Sequence, residues 1–488
     1  VTSKRPKLPI KNKPLTIRDE IHGDMSFEGA VRHAIDHPFF QRLRSIKQLG
    51  LAEFVFPCAT HTRFQHSLGA SYLAVQYFET MVRGWSHSTF DFEGKIEKTR
   101  FSPLLTRQRF QEVGEHPESY RFWRDAIGLA GLLHDVGHGP WSHTFEFLDL
   151  QQDFRDVLEP IHGVVGKYLR EQLKSGKPFM HEEISLLYLH KLLIDLEEGG
   201  LVPDALKFFV PVSALIHRKM GLGKFQKEIE SEIRKELEGR KLKGGVEVHR
   251  LLRPVISGPF DVDRIDYIQR DGRNCGVNIG GIEWRRIVSK LIPCLANHQG
   301  ASNEPQDVVL ISNVKNQHVL DDFIFSLFQM YAQVYLHPKI VGVEEVAKRL
   351  LKKVQTGKKK PIITFEMHQQ LTDERFRYLL KEEFGISEIE DLLFRKRGAG
   401  VHVVSLPPNT GMEKNLKASG YSMVDLLDRP MMKDSVGLFL FGAYQHQSGK
   451  STKTEHLIQP WVKVSPIAHH FYTINYSPKI WLKSELLG

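Results

Sequence analysis

Cysteine is scarce. Three residues, Cys58, Cys275 and Cys294, stand far apart in a chain of 488, with no Cys-x-x-Cys spacing. That excludes a disulfide framework and a thiolate-based zinc site, and it fits a reducing compartment. Long apolar runs are missing too. No window approaches the roughly 18 consecutive apolar residues a membrane span requires, and the N-terminus has no apolar signal core. The expectation is a soluble protein with no membrane partner, cytoplasmic, or nuclear if the source is eukaryotic. No repeat of fixed period occurs, which removes solenoids and propellers. Acidic side chains are the minority sign, 58 against 67 Lys and Arg, leaving a formal charge of +9. The excess favours anionic partners, whether nucleotides, nucleic acid or acidic surfaces, without choosing among them.

With 41% hydrophobic and 26% charged residues, the composition is that of a globular chain able to bury a large core. Residues 1–14, rich in proline and lysine, read as a flexible basic arm. From Ala30 onward the apolar spacing is helical through segments near 67–83, 121–136, 143–150, 161–174, 181–197 and 321–353. The expected fold is mainly α: an all-helical core over 15–360 and a smaller mixed α/β C-terminal region over 361–488, where shorter apolar runs alternate with proline and glycine. Within the core, 219–245 carries dense alternating charge and reads as an exposed helix or mobile insertion. The lysine clusters at Lys4, Lys7, Lys11 and Lys13 and at Lys358, Lys359 and Lys360 read as solvated tails or loops.

The densest chemistry lies in Gly131-Leu-Leu-His-Asp-Val-Gly-His-Gly-Pro-Trp-Ser-His143. An apolar helical run, Ala126 to Leu133, delivers His134 and Asp135 side by side, and the glycines at 137 and 139 are expected to end the helix. Neighbouring helix side chains point about 100° apart, so both reach one ion only near a helix end or in a widened cavity. Two ligands do not hold a metal. Candidates for the remainder are His66, in His61-Thr-Arg-Phe-Gln-His-Ser67, and Asp263, in Phe260-Asp-Val-Asp-Arg-Ile-Asp-Tyr267. Two imidazoles and two carboxylates form a borderline donor set suited to Fe, Mn, Co or Zn, with positions open for water and a phosphate oxygen. Alone, each histidine reads as a satisfied core group. The set gains meaning from its chain order, His…His-Asp…Asp, with His138 and His143 close by.

These motifs, together with Phe40-Gln-Arg-Leu-Arg-Ser-Ile-Lys-Gln-Leu-Gly50, Arg63-Phe-Gln-His-Ser-Leu-Gly69, Asp261-Val-Asp-Arg-Ile-Asp-Tyr-Ile-Gln-Arg-Asp271 and the shorter Tyr331-Ala-Gln-Val-Tyr-Leu-His337, resemble the HD phosphohydrolase superfamily. Within it the chain looks like the deoxynucleoside triphosphate triphosphohydrolases. The likeness runs from about residue 15 to 345 and fades beyond Thr372-Asp-Glu-Arg-Phe. It implies that His66, His134, Asp135 and Asp263 bind one divalent metal, with Mg on the substrate phosphates. Arg63 and Arg264 would hold phosphate, Arg264 standing where the family often has lysine. His138, His143 and His181 would manage protons, with Glu146 orienting His143; His162 competes with His181 for its place. Gln48, Leu49, Tyr267, Asp271 and Tyr335 would contact or wall the deoxyribose.

The implied reaction is hydrolysis of a dNTP at the α-phosphate to deoxynucleoside and inorganic triphosphate. The alternatives are another HD-type nucleotide phosphatase or phosphodiesterase, and a nucleic-acid-binding regulatory HD protein. The resemblance further implies a homo-oligomer, dimer or tetramer, activated by GTP or dGTP. Asp36 and Arg44 match positions that recognise guanine in animal members; a carboxylate accepts from N1 and N2 while a guanidinium donates to O6. Leu15 and Arg18 depart from the residues used there, so Arg18 is the candidate for the phosphate end.

Overall fold

The computed structural model describes residues 13–84, 94–96, 99–148, 154–279, 281–298, 307–356 and 363–393, and beyond them 401–406, 417–418, 422–424, 438–448, 451–460 and 479–484. Most of the basic arm lies outside the described residues, as do Lys358, Lys359 and Lys360.

The architecture is mainly helical. The helix Arg63–Arg83 lies against Pro117–Leu133, and the two bury Phe64, Leu68, Leu73, Tyr77 and Phe78 against Trp123, Ile127, Ala130 and Leu133. The apolar residues recur every three or four positions, the spacing that puts a stripe on one face of a helix. Val262–Cys275 crosses the first of these helices at Gly69, where a Cβ would fall 1.9 Å from Asp266 Oδ1. Only glycine permits that approach. His181–Glu198, Gly245–Ile256 and Gln317–Met330 complete the surround, the last continuing through a π-helical turn, Tyr331–Tyr335, into Pro338–Thr356.

The charged stretch folds into Arg218–Leu222 and Gln226–Gly239. It is not simply an exposed element: Ile229, Ile233 and Leu237 are buried four residues apart, and Glu230 takes the Arg250 guanidinium at 2.6 and 2.8 Å. Its charges decorate the outer face of a docked helix.

At the N-terminus, Leu15–Asp19 and Gly23–Phe27 form an antiparallel hairpin. A six-stranded sheet runs in the order Ser451–Pro460, Leu438–Ser448, Asp307–Asn313, Ile292–His298, Thr99–Ser102, Gly94–Ile96, antiparallel except where Asp307–Asn313 pairs with Leu438–Ser448. A three-stranded sheet joins Val401–Leu406, Lys479–Ser484 and Ser422–Val424. Three short helices, Phe365–Gln370, Asp373–Glu382 and Glu388–Leu393, lead into these strands. Among the described residues no helix is long and apolar enough to cross a membrane.

Candidate metal centre and adjoining cavities

Helix ends converge at the centre of the molecule. Thr62 and Gln65 form a capping box at the start of Arg63–Arg83, which puts Arg63 and His66 in its first turn. Asp261 caps Val262–Cys275, accepting from Arg264 N at 2.8 Å, and so places Asp263 in that helix's first turn. Pro117–Leu133 ends at Leu133, with His134 as its C-cap and Asp135 following. The glycines at 137 and 139 therefore lie beyond the end of the helix and do not terminate it. Gly137 instead lets the loop meet the His181–Glu198 helix, for its Cβ would fall 2.2 Å from His181 O.

His66, His134 and Asp263 form a group able to hold a metal ion. The Nε2 atoms of the two histidines face each other at 3.3 Å, with Asp263 Oδ1 at 3.1 and 3.6 Å from them. Asp135 stands beside them, Oδ1 3.4 Å from His134 Nε2 and Oδ2 3.6 Å from His66 Nε2. His66 Nδ1 lies 2.9 Å from Asp266 Oδ2, and His134 Nδ1 2.9 Å from the Gly131 carbonyl. Both partners only accept, so both Nδ1 atoms carry protons, and each ring in its neutral form presents its Nε2 lone pair to the same point. Facing lone pairs backed by two carboxylates repel one another unless a cation lies between them, and the donor set fits a borderline divalent ion. The same field favours a proton. Burial opposes it, yet Asp263 and Asp266 together push His66 up to about 10. Burial likewise raises Asp135, but His134, Arg63 and His66 outweigh it and bring this carboxyl down to about 2.

Behind His66 lies a buried polar network. Asp266 takes His22 Nε2 at 2.7 Å on Oδ1 and the Arg270 guanidinium at 2.8 and 2.9 Å on its two oxygens, while Arg270 also reaches Asp19 at 2.8 Å. Asp19 in turn accepts the backbone N–H groups of Ile21 and His22, both at 2.9 Å, shaping the hairpin turn.

A second cluster stands beside the metal group. The rings of His138 and His181 stack at 3.8 Å, and Glu146 bridges His181 Nδ1 at 2.6 Å and His143 Nδ1 at 3.0 Å. Burial and the neighbouring Arg63 and His181 charges hold His138 well below the usual imidazole range. His181 moves the other way: burial is overcome by Glu182 and Glu146, which push it up to about 9. His162 is exposed at the cap of Gly163–Ser175, and His181 is the histidine that stands in the cluster.

Two cavities open on these groups and share Asp135, His181 and Asp263. The larger, about 340 Å³, is lined by Gln48, Leu49, Arg63, His143, Tyr267, Asp271, Tyr331 and Tyr335 among others. Arg63 donates to Asp135 and, at 2.9 Å, to Ser142 Oγ, itself 3.1 Å from the Lys47 and Gln48 carbonyls. Asp271 holds the Tyr335 hydroxyl at 2.8 Å and His61 Nε2 at 2.7 Å, so the tyrosine ring is fixed as a wall. Gln48 Oε1 is buried without a hydrogen-bond partner. The smaller cavity, about 190 Å³, is lined by Arg218, Arg264, Glu182 and Asp261 beside the metal group. Arg264 bends back to Asp261 and the Gly258 carbonyl.

Asp36, Arg44 and Arg18 are exposed and line neither cavity. Among the described residues Asp36 and Arg44 form no ion pair with each other: Arg44 donates to Gln41 at 2.8 Å and lies 3.6 Å over the Phe64 ring. Arg18 pairs with Asp24 across the hairpin at 3.1 Å. Sequence reading passed over Asp19, His22, His61, Ser142, Arg218, Asp266, Arg270 and Asp373. The signal for Asp266 was present, since it is the third acid of Asp261-Val-Asp-Arg-Ile-Asp266, one helical turn from Asp263 and four residues before Arg270.

Helix ends of a mainly helical fold thus gather His66, His134 and Asp263, with Asp135 beside them, into a group able to hold a metal ion. Residues 63–198 match the sequence model of the HD domain, and the chain carries an HD domain there. It is 33% identical over 204 residues to the deoxynucleoside triphosphate triphosphohydrolase SAMHD1 homolog of Dictyostelium discoideum, covering 42% of this chain and 29% of that protein. Against deoxynucleoside triphosphate triphosphohydrolase SAMHD1 of Homo sapiens it is 28% identical over 286 residues, 58% of this chain and 37% of that one. An uncharacterized protein of Methanocaldococcus jannaschii is 27% identical over 341 residues, 70% of this chain and 50% of its own. The chain thus spans half or less of the length of these relatives. Among solved structures, a phosphohydrolase of Bacteroides thetaiotaomicron shares the fold, with a TM-score of 0.57 at 20% identity over 96% of this chain and 99% of that one.

Proposed function

We propose that the chain is a metal-dependent phosphohydrolase that cleaves deoxynucleoside triphosphates at the α-phosphate, releasing deoxynucleoside and inorganic triphosphate. One observation carries this reading: the His66, His134, Asp263 group adjoins a cavity whose lining divides between Arg63 with the histidines His138, His143 and His181 and the tyrosines Tyr267, Tyr331 and Tyr335. A phosphate ester with a flat, apolar body matches that division. The activities named for the Dictyostelium and human relatives point the same way.

His66, His134, Asp135 and Asp263 would hold the ion, which when bound polarises a phosphoryl oxygen and acidifies water. Arg63, held by Ser142, offers a guanidinium fork to the α-phosphate, and Arg264 adds charge towards the chain of phosphates. The stacked histidines differ in charge: His181 is protonated at neutral pH and His138 is not. Two titratable groups driven apart by their surroundings are suited to opposite acid and base roles. With Glu146 steering both His181 and His143, the cluster can deliver a proton to the departing 5′ oxygen. Tyr335, fixed by Asp271, packs against the sugar where a 2′ hydroxyl would need space, and Gln48 supplies an acceptor for a sugar hydroxyl. Leu49 and Tyr267 close the wall.

Activation by GTP or dGTP at Asp36, Arg44 and Arg18, assembly into a dimer or tetramer, and Mg on the substrate phosphates belong to the same reading. Chromatography of products from each dNTP and rNTP, with and without GTP, tests it. Deoxynucleoside plus intact triphosphate is expected; orthophosphate or pyrophosphate as first product would move the chain to another class.

A further inference from the structure

Asp373 stands outside the HD-domain match, on a helix, Asp373–Glu382, that contributes nothing to either cavity lining. Its neighbour Thr372 does the ordinary capping work, accepting from Arg375 N at 3.1 Å. Asp373 reaches across the molecule. One carboxylate oxygen accepts from Lys47 N and the other from Trp141 N, each at 2.8 Å, and the residue is buried.

These amides belong to two loops that line the large cavity together with Arg63. Lys47 precedes Gln48 and Leu49; Trp141 precedes Ser142 and His143. The loops meet at Ser142, whose hydroxyl lies 3.1 Å from the Lys47 and Gln48 carbonyls and 2.9 Å from an Arg63 nitrogen. The second loop is strained there: Trp141 and Ser142 have φ of 57° and 53°, the left-handed region that side chains with a Cβ avoid. Two such residues in succession cost about 1 kcal/mol or more each and persist only where the surroundings impose them. The carboxylate on Trp141 N, with Trp141 packed edge-on to Phe376 at 5.0 Å, imposes it.

We propose that Asp373 is a positioning residue, holding the Lys47–Leu49 and Trp141–His143 loops at the spacing in which Ser142 orients Arg63. The proposal rests on the phosphate-binding role given above to Arg63. It also makes the segment downstream of the HD domain part of the site, because a single side chain there sets the distance between two loops far upstream.

The test uses two variants of the 488-residue chain. Asp373→Asn keeps the shape but leaves one acceptor oxygen for two amides. Thr372→Ala weakens the same helix start and touches neither loop. Backbone amide exchange is followed by mass spectrometry, alongside kcat and KM for dATP. Asp373→Asn should speed exchange in peptides covering 46–49 and 140–143 while Pro117–Leu133 and His181–Glu198 exchange as in the parent, and kcat/KM should fall about tenfold or more. Thr372→Ala should leave both loops and the rate near the parent's. Unchanged loop exchange in Asp373→Asn, or a Thr372→Ala variant that reproduces its effects, overturns the proposal. A parent chain that releases no triphosphate from dATP refutes the reading of the reaction instead, and the exchange comparison then judges the role of Asp373 by itself.

Discussion

His66 and Asp266 are joined by a 2.9 Å hydrogen bond that fixes which histidine nitrogen is free to face the cluster. Since His22 and Arg270 grip the same carboxylate, the N-terminal hairpin reaches the candidate ion through one side chain. Outer partners of this kind typically change metal affinity by about 10–100-fold. His22→Ala should weaken binding of Mn or Co by a factor in that range, read by calorimetry, while far-ultraviolet circular dichroism stays the same. An affinity equal to the parent's would show that Asp266 is held well enough without the hairpin.

Asp135 serves both the cluster and Arg63. Asp135→Asn removes a carboxylate from the donor set and the counter-charge of the arginine at once, so hydrolysis should fall by about a thousandfold or more, the scale of losing a principal transition-state charge. Chelation of the parent should likewise abolish turnover, and added Mn, Fe, Co or Zn should restore it. Full metal content together with normal turnover in the variant would remove Asp135 from the proposed ligand set.

Tyr335 is pinned at its hydroxyl by Asp271 and flanked by Tyr267 and Tyr331, with ring centroids at 6.0 and 5.3 Å. A wall held this way discriminates by refusing space. Tyr335→Ala should raise rNTP turnover relative to dNTP turnover by about tenfold, of the order that pocket shape supplies. A ratio equal to the parent's would return this tyrosine to the role of a core aromatic.

The grouping of His66, His134 and Asp263 was partly legible in the sequence because part of its signal is local: a His-Asp pair at the end of an apolar helical run, with a histidine and an acid-rich stretch elsewhere as candidates. The mainly helical fold was legible from apolar spacing for the same reason. What lay hidden depends on contacts between distant segments. His22 and Asp266 are 244 residues apart, and Lys47 and Asp373 are 326 apart; no periodicity encodes such pairs. The choice between His162 and His181 required knowing where the His181–Glu198 helix docks. Strands from either side of residue 361 share one sheet through the parallel pairing of Asp307–Asn313 with Leu438–Ser448, which neither strand announces alone.

Arg44 lies over the ring of Phe64, the residue between Arg63 and Gln65 in the turn that also holds His66. A nucleotide that engaged Arg44 and Asp36 would therefore touch the cap of a site helix. An activator shifts an equilibrium only through tighter binding to the active assembly, so GTP or dGTP should raise apparent mass and rate together, with Asp36→Ala losing both responses. Sedimentation and turnover that stay flat across guanine nucleotide concentrations would refute this assignment and leave the catalytic reading intact.

Asp373 also carries a pH signature. Burial raises its carboxyl from 3.8 to about 6 even though two backbone amides favour the charge. A carboxyl whose folded pKa exceeds its unfolded value holds its proton more tightly when folded, so the stability it contributes is fullest below about pH 4. That contribution is lost as the pH rises towards 6 and is level above. Asp373→Asn removes this titration. The stability of this variant relative to the parent should rise by about 1 kcal/mol between pH 5 and pH 7, in the direction opposite to its expected loss of activity. Urea unfolding of both proteins at the two pH values measures the difference with all other titrations cancelled. A gap that is independent of pH would mean that the carboxylate is ionised at no cost in the folded chain, and that its two amide partners fully offset its burial.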